Sequence, residues 1–438
     1  MQLRLQHYAL RRVFNVFIAS TAIACVMSAC GGGSDPEQAP PVAAPITPPV
    51  TAPVTPPVPP VQGSQPLSVK GKIVAPDGVT PISNALVYVE NSSKPTTAVS
   101  ANGAVAAAAS ACGNPPNSAW ASSCTGSDGS FNFGAVAPEA SKLVAIKGAF
   151  KIEKILPAAS AGSIDTGNVA FATTAVTGAP KMAVVTGYFD SIENILAKLG
   201  FGQLENGALK LGTEKFTIYN GDNRSMPASY ASVDKLFVDA DGDGKADIFN
   251  YQIVFLNCGA EADLSTANKA ILRSYVTGGG RIYASDWAYN LVEQVFPEFI
   301  DFYGSTSSAA APEALDAAKV GDEGIVVNAT VDPTLKAWLQ NLSCFGGPCV
   351  QQDGTVKIDG FLSGWAVIDS FHSAVNGIKT WASGNISYDG GKKAVKPLTV
   401  TFGVGTGRIT YTSYHNEGIL ATELEPQQRI LQYLVFEL

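Results

Sequence analysis

Apolar positions recur with different spacing in successive parts of the chain. Residues 13–27 form one mostly apolar stretch, and residues 36–66 are dominated by proline, valine, alanine and threonine. Two longer segments, 67–175 and 180–438, carry short apolar runs separated by glycine, proline, asparagine and aspartate. Short runs bounded by such residues are typical of β-strands, whereas apolar residues three and four apart are typical of helices. We therefore expect two folded domains after a non-globular start.

The first domain, residues 67–175, is predicted to be all-β. Loose alternation of apolar and polar residues predicts a strand at 67–74, and a turn signal separates it from a second at 85–89. A glycine-rich turn leads into a third strand within 126–133, and residues 142–148 form a fourth.

The second domain, residues 180–438, alternates between strand and helix patterns. Strands that alternate with helices usually form a parallel sheet covered on both faces, so this segment is predicted to be an α/β domain. Residues 305–365 break the alternation and are predicted to be an insertion. The predicted strands are 181–187, 215–219, 251–257, 281–285, 398–402 and 407–413; the predicted helices are 191–199, 267–276 and 287–295, and 430–436 is a helix or a strand.

Residues 1–29 have the pattern of a secretory signal peptide. Three arginines lie within the first twelve residues, an apolar stretch follows, and small residues lead into Cys30. The cysteine resembles the lipobox cysteine of bacterial lipoproteins, which implies acylation of Cys30; the alternative is an ordinary cleaved signal peptide with an incidental cysteine. Gly31, rather than aspartate, follows it, which by the same resemblance implies an outer membrane lipoprotein that faces the periplasm or the cell surface.

Residues 30–66 are predicted to be a lipid-anchored, proline-rich linker. Four Pro-Pro pairs favour extended polyproline II, which acts as a semi-rigid spacer. The net charge of −8 and the lack of a basic run argue against a nucleic-acid partner. No second apolar stretch is long enough to span a bilayer. The expected partners are the membrane, through the lipid anchor, and an unknown ligand.

Five cysteines lie beyond residue 30. Cys112 and Cys124 flank a loop, and Cys344 and Cys349 enclose a tight turn. Both pairs are disulfide candidates because they are close in sequence and an oxidising cell envelope permits the bond. Cys258 lies in an apolar strand pattern, so we expect a buried, inert thiol; the alternative is a reactive one.

Residues 239–250 resemble a calcium-binding loop. Carboxylates, a turn-forming glycine and a backbone carbonyl recur at the spacing of such loops, and Asn250 stands where they carry a bidentate glutamate. The flanking residues favour strands over EF-hand helices. Oxygen ligands select calcium, so calcium is the predicted ion; the alternative is a solvated acidic turn. The candidate ligands are Asp239, Asp241, Asp243, Lys245 and Asp247.

The all-β segment resembles the carboxypeptidase regulatory-like, transthyretin-type β-sandwich. The matching pieces are the Val-x-Gly-x-Ile opening at 69–73, the Pro-x-x-x-Ala-x-Val-x-Val strand at 81–89, the Asp-Gly-Ser-Phe-x-Phe turn at 128–133 and the Val-Ala-x-Lys-Gly strand at 144–148. A long insertion at 92–123 departs from the pattern. The resemblance implies a spacer or docking module without a catalytic set.

Residues 180–438 resemble the class I glutamine amidotransferase-like family, which implies a flavodoxin-like α/β fold with a parallel sheet. Residues 251–259 match the strand before the oxyanion-side loop, and residues 278–285 match the strand before the nucleophile. Residues 407–417 match the late strand that ends in His-Pro-Glu in active members of the family.

By this resemblance Ser285 falls at the nucleophile, His415 at the base and Glu417 at the orienting carboxylate. The elbow departs from the family, because Tyr283-Ala284-Ser285-Asp286-Trp287 lacks the glycines that ease a strained turn. Without the family's cysteine, glutamine amidotransferase activity is not expected, and Asp286 is a candidate for a purely structural ion pair with His415. The leading hypothesis is a non-catalytic, calcium-stabilised binding lipoprotein; the alternative is a serine hydrolase or peptidase.

The sequence does not identify the ligand of this domain. Trp287, Tyr289, Trp365 and Tyr414 are candidates to line a carbohydrate cleft, with core positions as the alternative. A peptide is the other expected ligand class. We expect His372 to be structural.

Overall fold

The computed structural model describes residues 67–90, 112–136, 142–157, 162–221, 226–260, 262–304, 317–372, 377–416 and 423–438. The chain divides into two compact units, Met1–Val61 and Gln62–Leu438. The signal peptide, Cys30 and the linker lie outside the described residues, so those expectations stay predictions. Among the described residues, no helix is both long enough and apolar enough to cross a membrane.

Twenty-three strands and five α-helices are present in the described residues. The strands are β1 (Leu67–Val74), β2 (Leu86–Glu90), β3 (Ala119–Cys124), β4 (Ser130–Val136), β5 (Lys142–Lys147), β6 (Phe150–Ile155), β7 (Ser163–Ala170), β8 (Met182–Thr186), β9 (Leu204–Glu205), β10 (Ala208–Leu209), β11 (Thr217–Asn220), β12 (Ala231–Ser232), β13 (Ile253–Leu256), β14 (Arg281–Ser285), β15 (Ile300–Phe302), β16 (Val327–Val331), β17 (Ser343–Cys344), β18 (Gly347–Pro348), β19 (Val356–Ile358), β20 (Ile368–Phe371), β21 (Lys379–Tyr388), β22 (Lys392–Val404) and β23 (Gly407–Thr412). The helices are α1 (Ile192–Leu196), α2 (Thr266–Thr277), α3 (Tyr289–Val295), α4 (Pro333–Leu339) and α5 (Pro426–Glu437).

The N-terminal β-rich region contains two sheets, with strand orders β4-β1-β7 and β3-β2-β5-β6. Inward-facing residues of both sheets, including Val69, Phe131, Val87 and Leu143, belong to one buried cluster. The four predicted strands correspond to β1, β2, β4 and β5. The transthyretin-type sandwich stays a prediction.

The α/β region is built on a ten-stranded mixed sheet with the order β12-β11-β8-β13-β14-β23-β22-β21-β16-β19. The first six strands of this order are parallel, and the remaining pairings are antiparallel. All residues of β8 and β13 are buried, as expected for parallel strands covered on both faces. The prediction of a mixed α/β fold is confirmed, but the expected parallel sheet is only part of a larger mixed one.

The region predicted as an insertion, residues 305–365, contributes to this sheet. Strand β16 pairs with β21, and β19 pairs with β16, so both extend its antiparallel end. These two strands thus belong to the sheet, and the expectation that residues 305–365 are an insertion stays a prediction. Their alternating burial, with Val327, Ala329 and Val331 buried between exposed residues, is the period-two pattern of a strand covered on one face.

The C-terminal helix α5 links the two regions. The sequence of residues 430–436 is compatible with either a helix or a strand. The capping box between Glu425 and Gln428, with Pro426 in the first turn, starts a helix. The ring of Phe436 lies 4.7 Å from that of Phe150, and Lys147 pairs with Glu437 at 2.6 Å. The β-rich and α/β regions therefore share one core, although their sequences predict two domains.

Candidate functional site

Four neighbouring parallel strands, β8, β13, β14 and β23, end at the same edge of the mixed sheet. The chain runs from β8 outward to β11 and then returns to β13 on the other side of β8, so the strand order reverses between β8 and β13. In open α/β sheets, ligands bind outside the carboxyl ends of the strands at such a switch point. The residues that follow these strands are therefore the first candidates for a functional site.

Five buried polar residues meet at this edge, and we call them the carboxyl-edge cluster: Asp190, Cys258, Ser285, Asp286 and His415. Each follows one of the four strands, except Ser285, which is the last residue of β14. All five are at most 3% exposed. Burying so many ionisable groups is costly unless they pair with one another, so their contacts decide what the cluster can do.

The turn after β14 places Asp286, not Ser285, in a left-handed conformation. The φ of Asp286 is +40°, whereas Ser285 has an extended backbone with φ of −116°. A non-glycine residue with positive φ is uncommon, and such residues concentrate at functional sites. The sequence lacks the glycines that ease such a turn, but aspartate tolerates this region better than most side chains.

The hydroxyl of Ser285 forms its hydrogen bonds with residues other than His415. It donates to Oδ2 of Asp190 at 2.5 Å and accepts from the backbone N–H of Cys258 at 3.0 Å. Ser285 is also fully buried. The Ser285 hydroxyl thus contacts Asp190 and Cys258 rather than the imidazole expected of a triad, and the catalytic assignment of Ser285 stays a prediction. The hydroxyl donates its hydrogen bond to the carboxylate of Asp190, a residue that the sequence patterns did not single out.

His415 contacts Asp286 and Cys258 through one ring nitrogen. Its Nε2 lies 2.9 Å from Oδ2 of Asp286 and 3.1 Å from Sγ of Cys258, while Nδ1 lies 3.2 Å from the carbonyl oxygen of Gly360. Burial disfavours the imidazolium, but the hydrogen bond and charge of Asp286 outweigh it and raise the pKa of His415 to about 9. The structural pairing of Asp286 with His415 predicted from the sequence is present.

Two further carboxyl groups near this edge escaped sequence reasoning. Burial raises the pKa of Asp190 to about 6 and that of Glu193 to about 7. Oδ1 of Asp190 accepts from the backbone N–H groups of Ser191 and Asn416, each at 2.9 Å, and Glu193 accepts from Asn257 at 3.0 Å. The available signal was position, because Asp190 follows a buried strand directly before a helix.

The other residues predicted for this site lie outside the carboxyl-edge cluster. Glu417 lies outside the described residues, so its orienting role stays a prediction. Tyr289, Trp365 and Tyr414 are fully buried core residues, in agreement with the alternative interpretation. Trp287 is half-buried at the carboxyl edge.

His372 lies on the antiparallel side of the α/β region, directly after β20. Its backbone N–H donates to the carbonyl oxygen of Phe299 at 3.2 Å. This backbone contact ties the end of β20 to the segment before β15, and the structural role of the His372 side chain stays a prediction.

Residues 239–250, which we call the aspartate loop, are mostly exposed. The loop follows one 3₁₀ turn, Val233–Phe237, and its last four residues form a second, Asp247–Asn250. The strand expected before the loop is therefore a 3₁₀ turn. Carboxylate oxygens of Asp239, Asp241 and Asp247 lie within 4.8 Å of one another, a spacing that a single cation can bridge. Asp243 does not belong to this group of three, and its carboxylate accepts from the backbone N–H of Lys245 at 2.9 Å.

The predicted disulfides are formed between Cys112 and Cys124 and between Cys344 and Cys349. Cys258 is the free cysteine among the described residues, and it is buried as predicted.

No protein-family model matches the chain, and curated proteins give no significant match. Solved structures give distant likenesses. A ThuA-like protein from Parabacteroides merdae ATCC 43184 is 12% identical, with 58% of this chain and 87% of that chain covered and a TM-score of 0.30. A ThuA-like protein from Bacteroides uniformis ATCC 8492 is 11% identical, with 58% of this chain and 88% of that chain covered and a TM-score of 0.31. The exo-β-1,4-mannosidase Op5Man5 from Opitutaceae bacterium strain TAV5 is 13% identical, with 59% of this chain and 35% of that chain covered and a TM-score of 0.24. Superpositions this loose carry no weight for function.

Proposed function

We propose that this protein is an outer membrane lipoprotein whose α/β domain binds a ligand without chemically changing it. The observation that carries the proposal is that the polar side chains of the carboxyl-edge cluster are buried and bound to one another. The serine hydroxyl donates to a buried carboxylate, and the histidine faces a thiol and a second carboxylate. A serine nucleophile of the expected triad needs the imidazole within hydrogen-bond reach and access to substrate, whereas the Ser285 hydroxyl is bound to Asp190 and is fully buried. The serine hydrolase alternative is disfavoured for the same reason.

Aromatic side chains above the cluster supply a binding surface. The ring of Phe189 lies 4.8 Å from that of Tyr188 and 5.0 Å from that of Trp287, in edge-to-face contacts. Tyr188 is 57% exposed, and Lys319 lies 4.2 Å from the centre of the Trp287 ring. Exposed aromatic faces beside a cation suit a carbohydrate or a peptide, the two ligand classes predicted from the sequence.

Calcium is proposed as a stabilising ion of the same domain, held by the aspartate loop. Several carboxylates in one exposed loop repel one another, and a divalent cation among them would remove that repulsion. The close approach of Asp239, Asp241 and Asp247 supports this role.

The proposal includes the two folds that the sequence resemblances imply. A class I glutamine amidotransferase-like domain, preceded by a carboxypeptidase regulatory-like sandwich, is supported by the parallel strand order and by the positive φ at Asp286, directly after the strand where that family carries its nucleophile. In this chain an aspartate occupies the turn, which fits a domain that has kept the fold without the reaction.

The binding surface is tested by comparing two exposed aromatic residues. Tyr188→Ala should lose at least tenfold in affinity for the glycans or peptides that wild-type protein selects from an array, because the ring forms the open end of the surface. Trp120→Ala is the matched control, since Trp120 is 39% exposed on β3 of the N-terminal β-rich region. Equal affinities of the two variants would contradict the proposed surface.

The anchor is tested separately by Cys30→Ser. We expect a soluble product or an uncleaved precursor, since the anchor depends on the acyl chains. A processed Cys30→Ser protein that still requires detergent for extraction would contradict acylation at Cys30.

A further inference from the structure

Three different metal-ligand atoms converge inside the carboxyl-edge cluster. Sγ of Cys258 lies 3.1 Å from Nε2 of His415 and 3.4 Å from Oδ2 of Asp286, and the nitrogen and the oxygen lie 2.9 Å apart. All three residues are buried. The ligand-to-ligand separations around a tetrahedral zinc ion are roughly 3.4–3.6 Å. The three side chains would need to open by only about half an ångström to admit the ion.

The rest of each side chain is held away from this point by the backbone. Nδ1 of His415 lies 3.2 Å from the carbonyl oxygen of Gly360, and Oδ1 of Asp286 accepts from the N–H of Ala366 at 2.6 Å. Metal-binding histidines usually donate their second ring N–H to a carbonyl or carboxylate, which fixes the ring and directs the other nitrogen at the ion. The contact of His415 with Gly360 has that form, and ligating carboxylates are likewise held by a second hydrogen bond, as Asp286 is by Ala366.

A catalytic relay would need a different arrangement. In a cysteine–histidine–aspartate triad, the thiol meets one ring nitrogen and the carboxylate meets the other, so that a proton passes across the ring. Here the thiol and the carboxylate meet the same nitrogen, Nε2. That convergence suits a shared cation between the three atoms better than proton transfer along them.

We propose that Cys258, Asp286 and His415 form a buried site for a divalent transition-metal ion of the zinc class. A thiolate, an imidazole and a carboxylate are a donor set that zinc accepts, and the softer sulfur and nitrogen donors select against calcium and magnesium. On binding, the thiol and the imidazolium each release one proton to solvent. The thiolate and carboxylate then carry two negative charges, which the ion neutralises, so that the occupied site holds no net buried charge.

Asp190 is not the fourth ligand. Its Oδ2 accepts from Ser285, and its Oδ1 accepts from two backbone N–H groups. We assign the fourth position to water. The exposed aspartate loop provides only oxygen ligands and belongs to a different class of site.

Cobalt(II) is the probe that reports the sulfur ligand directly. The experiment uses full-length protein in detergent that carries Asp241→Ala with Asp243→Ala, so that the aspartate loop does not contribute to metal binding. This protein is unfolded in the presence of a chelator and without reductant, and it is then refolded with Co²⁺ or Zn²⁺. We expect one equivalent of bound metal, a near-ultraviolet sulfur-to-cobalt charge-transfer band, and loss of that band when Zn²⁺ displaces Co²⁺.

Variants assign the band to the site. Cys258→Ser should abolish it, and His372→Gln, the matched histidine control, should retain it. The displacement by Zn²⁺ needs no variant at these positions and covers the case in which Cys258→Ser does not refold. A refolded protein with native near-ultraviolet circular dichroism that shows no band at saturating Co²⁺ would overturn the proposal, as would a band that persists in refolded Cys258→Ser.

Discussion

The carboxyl-edge cluster and the aspartate loop both gather acidic side chains, but they solve the problem of charge in opposite ways. In the cluster, Asp286 and Asp190 are buried and each has a fixed partner. In the loop, Asp239 and Asp241 are exposed and accept from N–H groups of their own turn. Burial makes unpaired charge expensive, whereas water and salt screen it at the surface. The cluster should therefore govern the intrinsic stability of the domain, and the loop should govern its response to ions.

The largest difference should appear when one carboxylate is removed from each region. Asp286→Ala leaves the buried imidazole of His415 and the N–H of Ala366 without their acceptor, which should lower the free energy of unfolding by about 3–5 kcal/mol. Asp241→Ala, measured in chelator, should leave it nearly unchanged, as expected for an exposed side chain. Urea denaturation of both variants checks the contrast. Similar losses in the two would contradict the assignment of a paired, buried cluster.

The pH dependence of stability should come from the buried side of the comparison. The pKa of Glu193 rises from 4.5 to about 7 because the side chain is buried, so the folded state binds the proton more tightly than the unfolded state. This contribution to stability, about 3 kcal/mol, is present below pH 4.5 and is lost as the pH rises through about 7.

Glu193→Gln should flatten the stability profile between pH 4.5 and 7, and the variant should be more stable than wild type at pH 8. Some decline will remain, because the pKa of Asp190 is raised in the same direction. Glu205→Gln is the matched control, since Glu205 is exposed on β9. The measurement is the free energy of unfolding of each protein across this pH range. If Glu193→Gln had the same stability profile as wild type, this would argue against the burial of a protonated glutamate.

The ion response should come from the exposed side. At calcium concentrations of 100 times the dissociation constant, binding to the folded state alone would stabilise it by about 2.7 kcal/mol, and a chelator would remove that gain and lower Tm. Asp241→Ala with Asp243→Ala should abolish the sensitivity. Asp165→Ala with Asp353→Ala removes the same charge from other exposed positions and should preserve it. An identical wild-type melting curve with and without chelator would reduce the loop to an acidic turn.

The two regions also differ in how far the sequence could predict them. The aspartate loop is contiguous, so its ligand spacing is visible between Asp239 and Asp247. The cluster is assembled from the ends of four strands, and its partners lie far apart in the chain, from Asp190 to His415. Patterns identified Ser285 and His415 individually, but only the packing of β8 beside β13 brings Asp190 to the serine hydroxyl.

Fold prediction followed the same division. Local periodicity identified the central strands, such as β8, β13 and β14, because buried parallel strands are continuous apolar runs. It did not identify the antiparallel extension by β16 and β19, whose pairing depends on contacts between distant segments. Nor did it show that Phe150 and Phe436 close one core across two predicted domains.

Fluorophosphonate labelling of the purified full-length protein tests the claim of binding without turnover most directly. Because the Ser285 hydroxyl is buried and donates to Asp190, we expect wild-type protein to be labelled no more than Ser285→Ala, alongside an active serine hydrolase as the positive control. Stoichiometric labelling at Ser285 that disappears in a His415→Ala variant would contradict this account and establish a serine hydrolase.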